Sequence, residues 1–181
     1  MKRALLTFIG LTLAAVLIMG FSDSVSKISE VNSVINELSV LTDNAIRNID
    51  DPPTLANIAT ARNLIDEQKQ AIKNKIKALR DSGKLADNSD ANLKLSVIHD
   101  ANKNKLAAVY DKFVAKSYED MKKMNKAKGL LIKLNSQKSS KEFKAAEKDV
   151  ESLAAINEAN LDLLNALDTV VESYKSIFDE K

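Results

Sequence analysis

A stretch near the C-terminal end of the chain has apolar residues at a strict seven-residue spacing. One heptad position holds Phe143, Val150, Leu164, Val171 and Phe178, and its companion holds Ala146, Leu153, Leu167 and Tyr174. Two such positions lie together on one side of an α-helix. A second apolar stripe beside them consists of Ile156, Leu163, Val170 and Ile177. The predicted buried face is therefore too broad for a two-stranded zipper and should meet at least two other helices.

The composition of the chain favours long helices over sheets. Only four Gly and two Pro occur among 181 residues, Trp is absent, and aromatic residues make up 4%. Sheets are usually richer in turn residues and aromatic side chains. Cysteine is absent as well, so packing alone must stabilise the fold. We expect an all-α, up-down-up-down four-helix bundle with long third and fourth helices, preceded by an N-terminal hydrophobic signal or anchor helix.

The N-terminal segment is typical of a secretory signal or a membrane anchor. Lys2 and Arg3 precede an uncharged run at positions 4–22, and this order of charge and apolar residues directs export. Small residues at Gly20 and Ser22 favour cleavage after Ser22, with a retained anchor as the alternative. We therefore expect a signal peptide or anchor over 1–22 and one extracytoplasmic helical domain over 23–181. The expected location is the periplasm, cell envelope or medium, with inner-membrane anchoring if cleavage fails.

Breakers and caps predict the ends of the first two exported helices. The first should cover about residues 24–49, because Pro52 cannot continue a helix. An acidic residue or Thr54 should cap the second, which should end at Ser82 and Gly83, with Gly83 just beyond the last turn.

The last two helices have similar signals. Asp90 or Asn92 should cap the third helix, which should continue through Gly129 to about Asn135. Ser139 should cap the fourth, with Glu142 three residues later completing a capping box.

Charge is unevenly distributed along the chain, although the net charge is only +2. Residues 23–59 hold 2 basic and 6 acidic groups, residues 60–148 hold 21 and 11, and residues 149–181 hold 2 and 8. In a simple up-down bundle the first and fourth helices are neighbours, as are the second and third. We therefore expect a negative side and a positive side.

The densest basic region surrounds the junction of the last two helices. It comprises Lys122, Lys123, Lys126, Lys128, Lys133, Lys138, Lys141 and Lys144. Because these helices are predicted to be longer than the first two, this tip should protrude. The lysines either form a solvated face or attract anionic lipid or envelope polymer. A nucleic-acid partner is not expected, since no aromatic residues are interleaved for base stacking.

Two polar residues interrupt the apolar seam of the fourth helix. An unpaired buried amide costs about 1 to 3 kcal/mol, so Asn157 and Asn160 need partners. They either fix register or oligomeric state by pairing across the bundle or line a small polar binding site.

The sequence does not predict an enzyme. The only histidine, His99, has no carboxylate or histidine three or four residues away and is expected at the surface. Common nucleophilic triads and zinc sites with nitrogen or sulfur ligands are excluded, and the Asp87 to Asp90 stretch lacks the glycine and final glutamate of a calcium loop. We expect no catalytic residue, cofactor or metal.

Three classes of function follow from these patterns. The preferred one is a non-catalytic exported protein whose basic helix hairpin contacts anionic membrane, envelope polymer or a protein partner. The first alternative is an extracytoplasmic small-ligand-binding or sensory bundle with Asn157 and Asn160 in its site. The second is a coiled-coil-like assembly subunit that buries its stripes in a homo-oligomer.

Overall fold

The computed structural model describes residues 29–86 and 89–179, and all regular structure in them is helical. Helix α1 covers residues 29–47 of the described chain. It is followed by α2 (Leu55–Asp81), α3 (Asp90–Lys133) and α4 (Lys141–Lys175), with a short 3-10 turn at Asn135–Gln137. The prediction of an all-α chain with four helices is confirmed. The predicted signal or anchor at 1–22 lies outside the described residues, among which no helix combines the length and apolarity that a membrane span requires.

The predicted boundaries of α2 are confirmed. The Thr54 hydroxyl accepts a hydrogen bond from the Asn57 backbone N–H at 3.3 Å, while the Asn57 side chain accepts one from the Thr54 N–H at 3.0 Å. At the other end, Gly83 adopts a φ of 70°, which a residue without a Cβ reaches at little cost. The Lys84 N–H then donates to the Leu79 carbonyl and the Gly83 N–H to the Arg80 carbonyl, which satisfies the last carbonyls of the helix.

The caps of α3 and α4 lie at residues adjacent to those predicted. Ser89, rather than Asp90 or Asn92, caps α3 by accepting from the Asn92 N–H. Ser140, rather than Ser139, caps α4 by accepting from the Phe143 N–H at 3.1 Å. This shift places Phe143 at the third helical position, so Glu142 is one residue too early to complete the predicted capping box.

The hydrophobic core lies where all four helices meet. Its largest fully buried apolar side chains include Leu38 and Leu41 of α1, Ile58 and Ile65 of α2, Val170 and Tyr174 of α4, and Ile177 just after α4. Both apolar stripes predicted in α4 are buried or half-buried over the C-terminal half of the helix, where it lies in the core. Ile156, the first residue of the second stripe, is instead 42% exposed, because α4 contacts only α3 at that level.

The neighbour relationships differ from the predicted ones. Helix α4 packs against both α2 and α3, whereas no comparable contact joins α2 to α3 within the described residues. Acidic side chains of α1 pair with both basic helices, Glu37 with Lys75 at 2.7 Å and Asp43 with Lys105 at 3.0 Å. The prediction of one negative and one positive side is therefore wrong. Acidic and basic helices instead alternate around the bundle. This arrangement is electrostatically more favourable than two sides of opposite charge, because each basic helix lies beside acidic neighbours.

The α3–α4 hairpin extends beyond the other two helices. Lys112 and Lys116 of α3 lie beside Asp51 and Pro53 in the α1–α2 connection, and α3 continues to Lys133. The 17 residues from 117 to 133 add about 25 Å at 1.5 Å per residue. We call residues 117–160, which include the connecting turn, the arm.

Candidate functional site

The arm is held together by a narrow seam between two helices. Seam residues such as Met124, Leu131 and Val150 are only half-buried. Among the apolar residues of the arm, only Ala146, at 3% exposed, is as buried as the residues of the core. A two-helix seam has no third helix to exclude water, so each side chain remains partly hydrated. The arm is thus the least buried part of the described chain and presents most of its surface to solvent.

All eight lysines of the predicted basic tip are exposed. Lys122 pairs with Glu119 at 2.9 Å and lies 4.8 Å from the centre of the Tyr118 ring, and Lys123 pairs with Asp120 at 2.9 Å. The Lys123 ammonium group lowers the pKa of the Asp120 carboxyl below its ordinary value. The other six form no ion pair within the described residues: Lys126, Lys128, Lys133, Lys138, Lys141 and Lys144.

The end of the arm also exposes apolar surface. Ile132, in the last turn of α3, is 77% exposed, the largest fraction among the large apolar residues of the described chain, and Leu130 is 46% exposed. The charged side chains around them are almost all lysines, because residues 121–144 contain eight lysines and only one acidic residue, Glu142. A cationic surface with a projecting apolar side chain is therefore located at the far end of the molecule.

Asn157 and Asn160 both contact α3 across the seam of the arm. The Asn160 amide donates to the Asp120 carboxylate at 3.4 Å, and the Asn157 amide donates to the Met124 sulfur at 3.3 Å. Asn160 is 8% exposed. The geometry matches pairing across the helices, the first of the two alternatives that the sequence left open.

His99 does not lie at the surface as expected. Its ring is half-buried, stacks on Tyr174 and contacts Phe178. Burial lowers the pKa of the imidazole below its ordinary value. The nearby Asp100 carboxylate opposes this shift, and the Lys103 ammonium group adds to it. The prediction is wrong because the partners, Tyr174 at the end of α4 and Phe178 in the turn after it, come from a segment about 75 to 79 residues later in the chain.

Sequence reasoning also missed a polar cluster in the core. The side chains of Thr42, Asn102 and Tyr174 are 0% exposed. Thr42 donates to the Leu38 carbonyl at 2.9 Å, but the Asn102 amide and the Tyr174 hydroxyl make no hydrogen bond of normal geometry within the described residues. Burial raises the pKa of Tyr174 to about 12. A polar residue at an apolar heptad position was the available signal, and Asn102 occupies one in α3.

The described residues contain no group of three or more histidine or acidic side chains arranged to hold a metal ion. Asp66, which accepts a hydrogen bond from Ser173 at 2.5 Å, is also paired with Lys69, so the lysine ammonium and the serine hydroxyl lower the pKa of its carboxyl. This is the geometry of a structural contact between α2 and α4. No family model, curated protein or solved structure matches the chain.

Proposed function

We propose that the protein is a non-catalytic, exported interaction protein: an up-down-up-down four-helix bundle whose arm contacts an anionic membrane surface. The observation that carries this proposal is the co-location, at the end of the arm, of exposed lysines without ion pairs and the exposed side chain of Ile132. The directions of the interhelical contacts support the bundle topology. Glu37 and Glu30 of α1 pair with Lys75 and Lys84 in reverse order, as in an antiparallel hairpin.

The two kinds of side chain would bind different layers of the membrane. Each lysine near an anionic bilayer contributes about 1 kcal/mol, and an apolar side chain gains further free energy by entering the boundary between headgroups and acyl chains. An acidic polymer would attract the lysines equally well but would offer nothing to Ile132. The exposed isoleucine therefore favours a lipid surface over a polymer.

Export is the second part of the proposal and rests on residues 1–22. The positively charged start and the uncharged run after it would place the bundle outside the cytoplasm. If the segment stays in the membrane, the arm projects away from the anchor and reaches a surface some distance from it. If it is cleaved after Ser22, the same arm is the main contact with the envelope.

Vesicle binding tests the membrane contact. The purified domain should sediment with vesicles of phosphatidylcholine and phosphatidylglycerol but not with phosphatidylcholine alone. The double variant Lys138→Gln with Lys141→Gln should bind roughly 30-fold more weakly, from about 1 kcal/mol per lysine. Ile132→Gln should also weaken binding, and added salt should weaken the parent as charges are screened over about 8 to 10 Å.

A matched control separates the tip from net charge. Lys77→Gln with Lys94→Gln removes the same charge from exposed positions on α2 and α3 outside the arm, and it should bind vesicles nearly as well as the parent. If both double variants lost vesicle binding equally, the overall charge of the protein rather than the tip would be responsible. Binding to an acidic polymer with no effect of Ile132→Gln would replace the membrane by that polymer.

The N-terminus of the mature product tests export. Cleavage after Ser22 gives a chain that begins at Asp23, and Ser22→Lys should block cleavage and leave the protein in the membrane fraction. Recovery of full-length unmodified protein from the membrane fraction would establish an anchor instead. Recovery of full-length protein from the cytoplasm would refute export.

A further inference from the structure

One side of the arm carries an open groove of ≈ 580 Å³ between α3 and α4. Its floor is apolar and consists of Ala127, Gly129, Leu130, Ala146 and Leu153. Lys123, Lys126 and Lys133 form the rim on α3, and Asp149 lies on the α4 side. The groove is therefore an apolar channel with a mainly basic edge.

This groove continues the side of α3 that α1 covers nearer the core. There, residues at the end of α1 and just after it, Ile46 and Ile49, lie beside four residues of α3: Val109, Lys112, Phe113 and Lys116. Moving each of the four α3 positions on by 14 (109 to 123, 112 to 126, 113 to 127, 116 to 130) gives Lys123, Lys126, Ala127 and Leu130, which line the groove. Fourteen residues are two heptads and return to the same side of a helix in such a seam. In the arm, no helix of the described chain covers this side.

The contacts between α1 and α3 near the core indicate which chemistry would fit the uncovered part of α3 in the arm. Helix α1 buries an apolar stripe that includes Val34, Leu38 and Leu41. Beside the stripe, Asp43 pairs with Lys105 at 3.0 Å, and Asp51, just after the helix, pairs with Lys112. An apolar stripe with acidic side chains along its edge thus matches an apolar face bordered by lysines.

We propose that the groove of the arm binds an acidic amphipathic helix of a partner protein, laid along the arm in line with α1. Its apolar stripe would cover Ala127, Leu130 and Leu153, and its acidic edge would pair with Lys126 and Lys133, which have no ion pair within the described chain. Helix-in-groove recognition of this kind uses anchors three and four residues apart. This site shares Lys126 and Lys133 with the proposed membrane contact but differs from it in its apolar part, because neither Ile132 nor Lys138 lines the groove.

A designed peptide serves as the probe. It is a fluorescently labelled helix of about 20 residues, roughly 30 Å long, with leucine at the heptad seam positions and glutamate beside them. Its counterpart has lysine in place of glutamate. Fluorescence anisotropy with the full mature chain should detect binding of the acidic peptide and none of the basic one.

Paired variants locate the site. Two positions further along a helix, a side chain points about 200° away, so Lys128 and Ile132 are controls for Lys126 and Leu130. Lys126→Glu and Leu130→Gln should each weaken acidic-peptide binding by about tenfold or more, as for a central interface residue. Lys128→Glu and Ile132→Gln should change it by less than about twofold. Circular dichroism should show unchanged helix content in all four, since these side chains are exposed.

Vesicles distinguish this site from the proposed membrane contact. Leu130→Gln should weaken peptide binding but not vesicle binding, and Ile132→Gln should do the reverse. Equal effects of Lys126→Glu and Lys128→Glu on the peptide would overturn the groove, as would equal binding of both peptides or no binding at about millimolar concentration. If the parent dimerises and Leu130→Gln makes it monomeric, the occupant is a second copy of this chain and the proposal is wrong.

Discussion

The imidazole of His99 lies against the ring of Phe178, with ring centroids 3.9 Å apart and ring planes inclined by 44°. It also stacks on Tyr174, with centroids 5.5 Å apart and planes inclined by 12°, and the Tyr174 and Phe178 centroids are 6.3 Å apart, so the three rings form one cluster. Both aromatic residues come from the end of α4 or the turn after it, and His99 from the first third of α3. The only histidine of the chain thus joins two helices at the end of the core opposite the arm.

This position makes stability depend on pH. The pKa of His99 is lowered in the folded chain by burial, so the unfolded chain binds more protons as the pH falls through the ordinary histidine value of about 6.5. The free energy of unfolding, measured by urea denaturation, should therefore decrease between about pH 7 and pH 5. His99→Phe should remove most of this dependence. Identical slopes for parent and variant would show that other groups are responsible, although carboxylates titrate mainly below about pH 5.

The buried amide of Asn102 should lower stability. Its side chain is 0% exposed and makes no hydrogen bond of normal geometry in the described structure, and a buried unsatisfied polar group costs about 1 to 3 kcal/mol. Asn102→Leu keeps the number and branching of the side-chain heavy atoms, with bulkier methyl groups in place of the amide, and should raise the free energy of unfolding by about 1 kcal/mol. Asn104→Leu, at an exposed position of the same helix, is the control. Destabilisation by Asn102→Leu alone would mean that the amide is satisfied, either by the neighbouring Tyr174 hydroxyl or by bound water.

The two asparagines of the arm should favour register over stability. Replacing Asn157 and Asn160 by leucine removes the contacts to Met124 and Asp120 but adds apolar seam, so we expect about 1 kcal/mol of stabilisation with looser alignment of the two helices. Because the chain has no cysteine, Ala127→Cys with Leu153→Cys reports alignment by disulfide formation. Cross-linking should be slower or less complete in the leucine variant. Strong destabilisation with unchanged cross-linking would instead indicate a polar site that the fold requires.

Exchange of one ion pair tests the alternation of acidic and basic helices. Lys105→Glu should lower the free energy of unfolding by about 0.2 to 1 kcal/mol, because both side chains of the Lys105–Asp43 pair are about half exposed. Adding Asp43→Lys should restore most of the loss. Failure of the second change to restore stability would show that the 3.0 Å contact contributes little.

The sequence predicted elements whose signals are local. Thr54 with Asn57, and Gly83 after the last turn of α2, act within a few residues of chain, and their structures agree with expectation. The cap of α4 was wrong by one residue because Ser139 and Ser140 are both competent, and the 3-10 turn before them decides between the two. Side-by-side order was not predictable in this way. Whether α2 neighbours α3 or α4 depends on contacts more than 80 residues apart, such as Ser173 with Asp66.

The candidate site was predictable as a set of residues but not as a surface. The eight lysines follow from the sequence, as does a protruding hairpin. The side of the hairpin that holds a groove does not follow from the sequence, because it depends on where α1 and the α1–α2 connection stop covering α3, beside Lys116. His99 and Asn102 were misjudged or missed for a related reason: their surroundings come from other helices.

The heptad spacing of the arm makes its reach independent of the fold of the core. Removing or inserting seven residues in each of its two helices would keep every seam position facing its counterpart and leave the contacts of α1 and α2 unchanged. Each such step would move the lysine-rich end by about 10 Å. The distance that this molecule spans can therefore be changed, by evolution or by design, in fixed steps of one heptad.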